Sequence, residues 1–392
     1  MDQSILAEAI QDFISSHIET DVNQLALQKN KFPNSDYTAI LNQIAAKQKA
    51  KTKLPTWFSA ENIIYPSKIS VEQTSSERTA EYKSQWVSGK SLMDLSGGFG
   101  VDDYYFAKKL NQVIHCEINQ ELSTIVHHNF EQLKASNIQC FSGDSYDILK
   151  IQNPKLDWIY IDPSRRNEAK GKVFMLKDCL PNVPENLDFY FDFAPNIMIK
   201  TAPLLDITAG LSELKNVKAI HIVALENEVK ELLWILEKNY EGSTQIVTAN
   251  LLKTKTEEFR FELNADHQAS FGLPQKYLYE PNAAIMKSGG FDVVSCRFEL
   301  NKLHQHSHLY TSDTLIDFPG RRFEIQHYIG YNKNEMKPLL ENQKANLTTR
   351  NFPDSVDSIR KKWKIKDGGN LYCFFTTDAN NNKIVLLCSK LP

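Results

Sequence analysis

Apolar residues near the N-terminus recur at helical spacing. Ile5, Leu6, Ala9, Ile10, Phe13 and Ile14 fall on one face, and a second helix is predicted over Tyr37–Lys53. From about Ser76 to Leu263 the pattern alternates. Short apolar runs at 92–95, 113–117, 138–141, 156–161, 197–200 and 219–224 read as strands covered on both faces. Helical stripes lie between them: Leu122, Ile125, Val126, Phe130 and Leu133 form one, and a second helix is expected from Glu226 through Leu232, Leu233, Ile235 and Leu236. Such alternation predicts an α/β fold with a doubly wound parallel sheet. Beyond about Asp266 the pattern changes to smaller α+β units. The last of them combines helices near 336–342 and 355–363 with a hairpin of 371–377 and 383–388, turned by Asp378-Ala-Asn-Asn-Asn382. The expected division is 1–75, helical; 76–265, α/β; 266–319, small α+β; and 320–392, a final α+β module.

Composition narrows the class. With 42% hydrophobic and 24% charged residues, the chain has the make-up of a soluble globular protein. Its net charge of −3 does not by itself suggest nucleic acid, but the charge is uneven. From Arg321 onward there are 13 lysines and arginines against 7 acids, which suits a tail module that binds a polyanion. The six cysteines (116, 140, 179, 296, 373 and 388) include no CxxC pair and mostly sit in strand-like runs. They read as reduced, packed thiols, and a cytoplasmic location is expected. The acids at positions 2, 8, 12 and 19 argue against a signal peptide, and no apolar run approaches a membrane span.

The chemistry concentrates at four places. The first predicted strand runs into Asp94 and then a turn, Leu95-Ser96-Gly97-Gly98-Phe99-Gly100. Glycines let a ligand come close to bare backbone, while an acid before the turn opposes a diphosphate and suits an amino-bearing cofactor. The turn also fails the GxGxxG spacing of a dinucleotide site. Glu117 closes the second strand, where a carboxylate can accept both hydroxyls of a ribose. Asp144, in Gly143-Asp144-Ser145, follows the third and can take an adenine amino group. Asp162-Pro163-Ser164-Arg165-Arg166 follows the fourth. All four lie at the carboxyl ends of successive strands, where open α/β sheets bind ligands. The ligand expected there is S-adenosylmethionine, held by Asp94, Ser96, Gly97, Gly98, Gly100, Glu117, Asp144, Ser145 and Asp162.

At these residues the chain resembles the class I S-adenosylmethionine-dependent methyltransferases. It resembles in particular the bacterial family in which such a Rossmann-like domain carries a C-terminal THUMP-like module. Further motifs support the narrower likeness: Tyr279-Glu-Pro-Asn-Ala-Ala-Ile-Met286, Ser307-His-Leu-Tyr-Thr-Ser312, Arg350-Asn-Phe-Pro353, Arg360-Lys-Lys362 and Lys366-Asp-Gly-Gly369. The resemblance implies a ferredoxin-like unit at about 270–320. By analogy with THUMP modules, it also implies RNA, ribosomal or transfer, as the partner. Neither DNA nor a membrane is expected.

The fourth motif departs from the Asn/Asp-Pro-Pro-aromatic pattern of many enzymes that methylate base amines. Ser164 stands for the second proline and Arg165 for the aromatic. An arginine plane can stack on a base or grip a phosphate. The expected catalytic set is Asp162 as acceptor or base, with Arg165 and Arg166 positioning the substrate. Cys179 as a nucleophile is disfavoured against a packed thiol. Arg78 and Lys83 could cover the cofactor or face solvent, and Lys200 could reach substrate but reads first as a surface lysine. His304, His306 and His308 would share one face of a strand. With no carboxylate or thiol to complete a site, no metal is expected there. In the tail, Arg350, Arg360, Lys361, Lys362, Lys364 and Lys366 could contact phosphates, while Phe352 and Trp363 read as core. Two alternatives stay open: a small-molecule or protein methyltransferase of the same fold, and a non-catalytic RNA-binding protein.

Overall fold

The structure, a computed structural model, describes residues 3–165 and 175–392, with nothing said of the Arg165 side chain. The chain divides into two compact units: Met1–Lys218 with Leu233–Glu241, and Ala219–Leu232 with Gly242–Pro392.

The first unit holds five parallel strands, β1 Ser91–Asp94, β2 Gln112–Glu117, β3 Ile138–Ser142, β4 Trp158–Ile161 and β5 Asn196–Thr201. They lie in the order β3-β2-β1-β4-β5, so the chain reverses direction across the sheet beside β1. Every residue of β4 is buried, as a strand covered on both faces requires. The helix Gln120–Gln132 turns Ile125, Val126 and Phe130 inward and is capped by Asn119, whose side chain accepts from Leu122 N–H.

The N-terminal helices belong to this same unit. Ile5, Ile10, Phe13, Ile14, Leu25, Ile40 and Ile44 form their core. They are tied to the sheet domain by Asn129, whose side-chain amide exchanges hydrogen bonds with the backbone of Ile64 at 2.9 and 2.8 Å. Three of the lysines ending Tyr37–Lys53 have acceptors in the N-terminal region. Lys49 pairs with Glu72 at 3.1 Å, Lys51 with Glu19, and Lys53 donates to the Glu72 carbonyl.

Further along the chain Val217–Leu225 runs parallel to Gln245–Leu251, which pairs antiparallel with Thr256–Glu262. The helix expected from Glu226 is instead a strand, Glu228–Glu237. Six consecutive residues, Glu231 to Leu236, are buried. A helix would have to be covered all round to bury such a run, whereas a strand needs only two faces covered. Glu226 and Asn227 both have positive φ, +49° and +65°, as a tight hairpin between neighbouring strands demands.

The remainder forms an eight-stranded sheet carrying the helices Lys333–Leu340 and Val356–Trp363. The predicted C-terminal hairpin is present as Lys366–Thr377 and Lys383–Lys390. In its turn, Asp378 Oδ1 accepts from the N–H groups of Asn380 and Asn382. Among the described residues, no helix is long and apolar enough to cross a membrane.

Candidate functional site

The tips of β1 to β4 surround a cavity of about 540 Å³ within the first unit. All nine residues singled out for cofactor contact line it: Asp94, Ser96, Gly97, Gly98, Gly100, Glu117, Asp144, Ser145 and Asp162.

The glycine turn is built from below as much as from the cavity side. Gly97 N–H donates to the Cys116 carbonyl at 2.8 Å, which presses the turn onto β2. A β-carbon at Gly97 would come within 2.2 Å of the His115 ring, and one at Gly100 within 2.5 Å of Phe130. Packing therefore dictates glycine at both positions. Gly98 differs: its φ is +57°, and the nearest atom to a built β-carbon is 3.6 Å away. Packing does not require glycine there, and only the positive φ favours it.

Each acid is held differently. Asp94 is only 2% exposed, and its Oδ1 accepts from the Ser96 N–H and hydroxyl at 2.7 and 2.9 Å. Burial, then the neighbouring Asp103, pushes this carboxyl well above the usual range, against the pull of His115 and Ser96. Glu117 accepts from Gly98 N–H at 2.9 Å and from Asn119 N–H at 2.8 Å, one on each oxygen. Each of those oxygens keeps a lone pair for a ligand hydroxyl. Asp144 is exposed and caps Ser145–Gln152 by accepting from Tyr146 N–H at 2.8 Å. Asp162 donates its backbone N–H to Ser96 Oγ at 2.6 Å, so Ser96 links the tips of β1 and β4.

Sequence reasoning missed much of the support. Lys200, at the end of β5, is no surface lysine: its side chain is 14% exposed and its ammonium pairs with the Asp162 carboxylate. Lys83 is fully buried and lies 3.2 Å from Asp102 Oδ1. Asp102 Oδ2 accepts from Tyr160 and Ser75 hydroxyls, both at 2.8 Å, and all three residues line the cavity. Burial raises the Asp102 carboxyl, but Lys83, Lys200, Tyr160 and Ser75 together hold it below the usual range. The available signal was the first-turn pair Asp102-Asp103, two acids directly after a glycine turn in an otherwise apolar helix.

Of the expected catalytic set, Asp162 lines the cavity, and the Ser164–Arg165 backbone pairs with Cys179–Leu180. Arg166 and the Arg165 side chain lie outside the described residues. Cys179 is buried, with Sγ 3.7 Å from the Met175 carbonyl.

In the second unit the three histidines are not on a strand; they lie in the turns that follow Asn301–Lys302. His304 bonds to Asn381 at 3.0 Å and to Asn351 at 2.9 Å, and His308 stacks on Phe291 at 3.5 Å. Trp363 is core and Phe352 packs against that core. The basic cluster is only partly available to a polyanion. Arg350 and Arg321 converge on the buried Glu280, at 2.8 and 2.6 Å, and Arg360 pairs with Asp367. Lys361, Lys362, Lys364 and Lys366 are exposed.

Comparison with known proteins adds three findings. Residues 277–319 match the model of a ferredoxin-like domain, and residues 320–390 that of a THUMP-like domain. The crystal structure of a "putative methyltransferase" from Porphyromonas gingivalis W83 shares 30% identity, covers 100% of this chain and 99% of its own, and superposes with a TM-score of 0.87. TrmK of M. capricolum, solved with S-adenosylhomocysteine, shares 15% identity over 41% of this chain and 68% of its own, at a TM-score of 0.32. An rRNA methylase from Streptococcus thermophilus shares 11% over 41% and 94%, at 0.30. Those last two likenesses are too slight to bear on this chain. No curated protein matches it.

Proposed function

Because the chain belongs to the family of the Porphyromonas gingivalis protein, the class I methyltransferase-fold chains that end in ferredoxin-like and THUMP-like domains, we propose that it transfers a methyl group from S-adenosylmethionine to a base in structured RNA, ribosomal or transfer. The observation that carries the reading is the convergence of four successive strand tips on one cavity whose walls supply carboxylates and one open glycine.

The donor set fits the cofactor. Asp94 would accept from the α-ammonium, Glu117 from the ribose hydroxyls and Asp144 from the adenine amino group. Gly98 leaves the space for close approach. A wall with this many acids repels a diphosphate and tolerates a sulfonium. When bound, the cofactor supplies an electrophilic methyl group.

The protein's own part is positioning. Asp162 accepts from the substrate nitrogen or takes its proton, and Lys200 fixes the direction of that carboxylate. Arg165 and Arg166 grip the substrate base or its phosphate. Holding donor and acceptor in line supplies much of the rate in a displacement of this kind. The exposed lysines of the C-terminal module contribute sequence-independent grip on the RNA backbone.

The test is transfer of labelled methyl from S-adenosylmethionine into total RNA from cells lacking the gene, followed by nucleoside mapping. Label in one nucleoside of one RNA class is expected with the intact chain and not with Asp162→Ala. No label in any fraction overturns the reading.

A further inference from the structure

Beneath the glycine turn lie three titratable side chains from three elements. Asp94 ends β1. His115 is its register partner on β2, and Asp103 belongs to the helix Val101–Ala107. Asp103 Oδ2 sits 2.6 Å from His115 Nδ1, and both side chains are fully buried. His115 Nε2 and Asp103 Oδ1 have no hydrogen-bond partner. A buried N–H without an acceptor is costlier than a bare ring nitrogen, so the proton belongs on Nδ1, which donates to Asp103. The imidazole also forms the floor of the turn, since a β-carbon at Gly97 would strike it.

The charges around the group give the two carboxyls little relief. Asp94 feels Asp103 and His115; His115 feels Asp94 and Glu117; Asp103 is raised by Asp102 and eased by hydrogen bonding with Asp94. The nearby lysines, Lys83 and Lys200, act on Asp102. Burial lowers the His115 pKa, which leaves the ring neutral. Burial pushes up the thiols of Cys116 and Cys140, the latter to about 12, and Asp103 adds to both. Both carboxyls flank the His115 ring and are pushed well above the usual range, Asp94 by burial and Asp103, and Asp103 by burial and Asp102; a buried pair without a cation favours keeping a proton.

We propose that Asp103 and His115 are positioning residues for Asp94, holding its carboxyl in a proton-sharing pair that accepts the α-ammonium of the cofactor by releasing that proton. The inference rests on reading the cavity as an S-adenosylmethionine site. In the step, the O–H bond of the shared proton breaks and the proton leaves to buffer. Its electron pair stays on the carboxylate, which then pairs with the incoming ammonium. The site thereby selects a ligand that brings its own positive charge.

The test is calorimetric titration of the full chain with S-adenosylhomocysteine at pH 7, in two buffers of different ionisation enthalpy. Release of up to about one proton per site is expected. Methylthioadenosine, which has the nucleoside but no ammonium, should bind without releasing any. Asp103→Asn should abolish the release and weaken S-adenosylhomocysteine on the order of tenfold, while His115→Gln should diminish both. The first two measurements need no variant, so a failure of either variant to fold leaves the test intact. Binding of S-adenosylhomocysteine with no buffer dependence overturns the proposal, as does equal proton release by the two nucleosides. Failure of both nucleosides to bind overturns the cofactor reading, and this proposal with it.

Discussion

The Lys200 ammonium is ion-paired with the Asp162 carboxylate, so the tips of β5 and β4 are joined at the wall of the cavity. A carboxylate held this way points in one direction, and a substrate donor must use the lone pairs that the ammonium leaves. Lys200→Met should lower methyl transfer by about tenfold to a hundredfold, chiefly in kcat. Asp162→Ala should lower it further. Because the two act as a unit, the double variant should be no worse than Asp162→Ala alone. Affinity for S-adenosylhomocysteine should be nearly unchanged by Lys200→Met. A Lys200→Met enzyme with wild-type kcat would remove the pair from the reaction.

Two glycines one residue apart should respond differently to the same substitution. Gly97→Ala drives a methyl group into the buried His115 ring, 2.2 Å away, and overpacking of this kind costs about 1–3 kcal/mol. Gly98→Ala meets no neighbour but must hold φ near +57°, at a cost of about 1–2 kcal/mol. Urea denaturation should find both less stable. Ligand titration should show that Gly98→Ala loses affinity beyond what its stability change explains, because its methyl group occupies cavity space. Equal affinity losses in the two variants would show that Gly98 is not the point of close approach.

The buried pair of Lys83 and Asp102 gives a stability signature that depends on pH. The folded-state pKa of Asp102 is depressed, so its contribution is complete above the unfolded-state value of about 3.9 and fades as pH falls through the lower folded value. Lys83→Met leaves a buried carboxylate without its cation and should cost about 3–5 kcal/mol at pH 7. Near pH 3 the variant can protonate Asp102 and escape part of that cost. The gap between wild type and variant in urea denaturation should therefore shrink on acidification. A gap independent of pH would mean that Lys83 contributes packing alone.

The strand tips were legible in the sequence because each combines an apolar run with a single acid or glycine cluster, a signal confined to a few neighbouring residues. What stayed hidden depends on partners distant in the chain. Lys200 meets Asp162 only because β4 and β5 are neighbours, and Lys83 reaches Asp102 only because the helix Glu77–Ser84 packs against the helix Val101–Ala107. The Glu226-Asn227 hairpin carries a residue, glutamate, that seldom marks positive φ, so the following apolar run could pass for a helix. Arg350 was grouped with the lysines by charge, but it pairs with the buried Glu280, distant in the chain, beside Arg321, the register partner of Glu280.

That last distinction predicts how the basic residues of the C-terminal module divide. Lys361, Lys364 and Lys366 are exposed and near one another in sequence, following or ending the helix Val356–Trp363. Replacing all three with alanine should weaken RNA binding uniformly across sequences. It should also reduce the slope of log affinity against log salt by about 0.7 for each phosphate that is no longer neutralised, roughly 2 in all for a single strand. The fold should be unaffected, since exposed lysines contribute little to stability. Arg350→Ala should do the opposite. It removes a guanidinium 2.8 Å from a buried carboxylate, so denaturation should shift while the salt slope of the folded protein stays close to wild type. An Arg350 variant with a reduced slope but full stability, or a lysine triple that keeps the full slope, would place the polyanion site elsewhere on the chain.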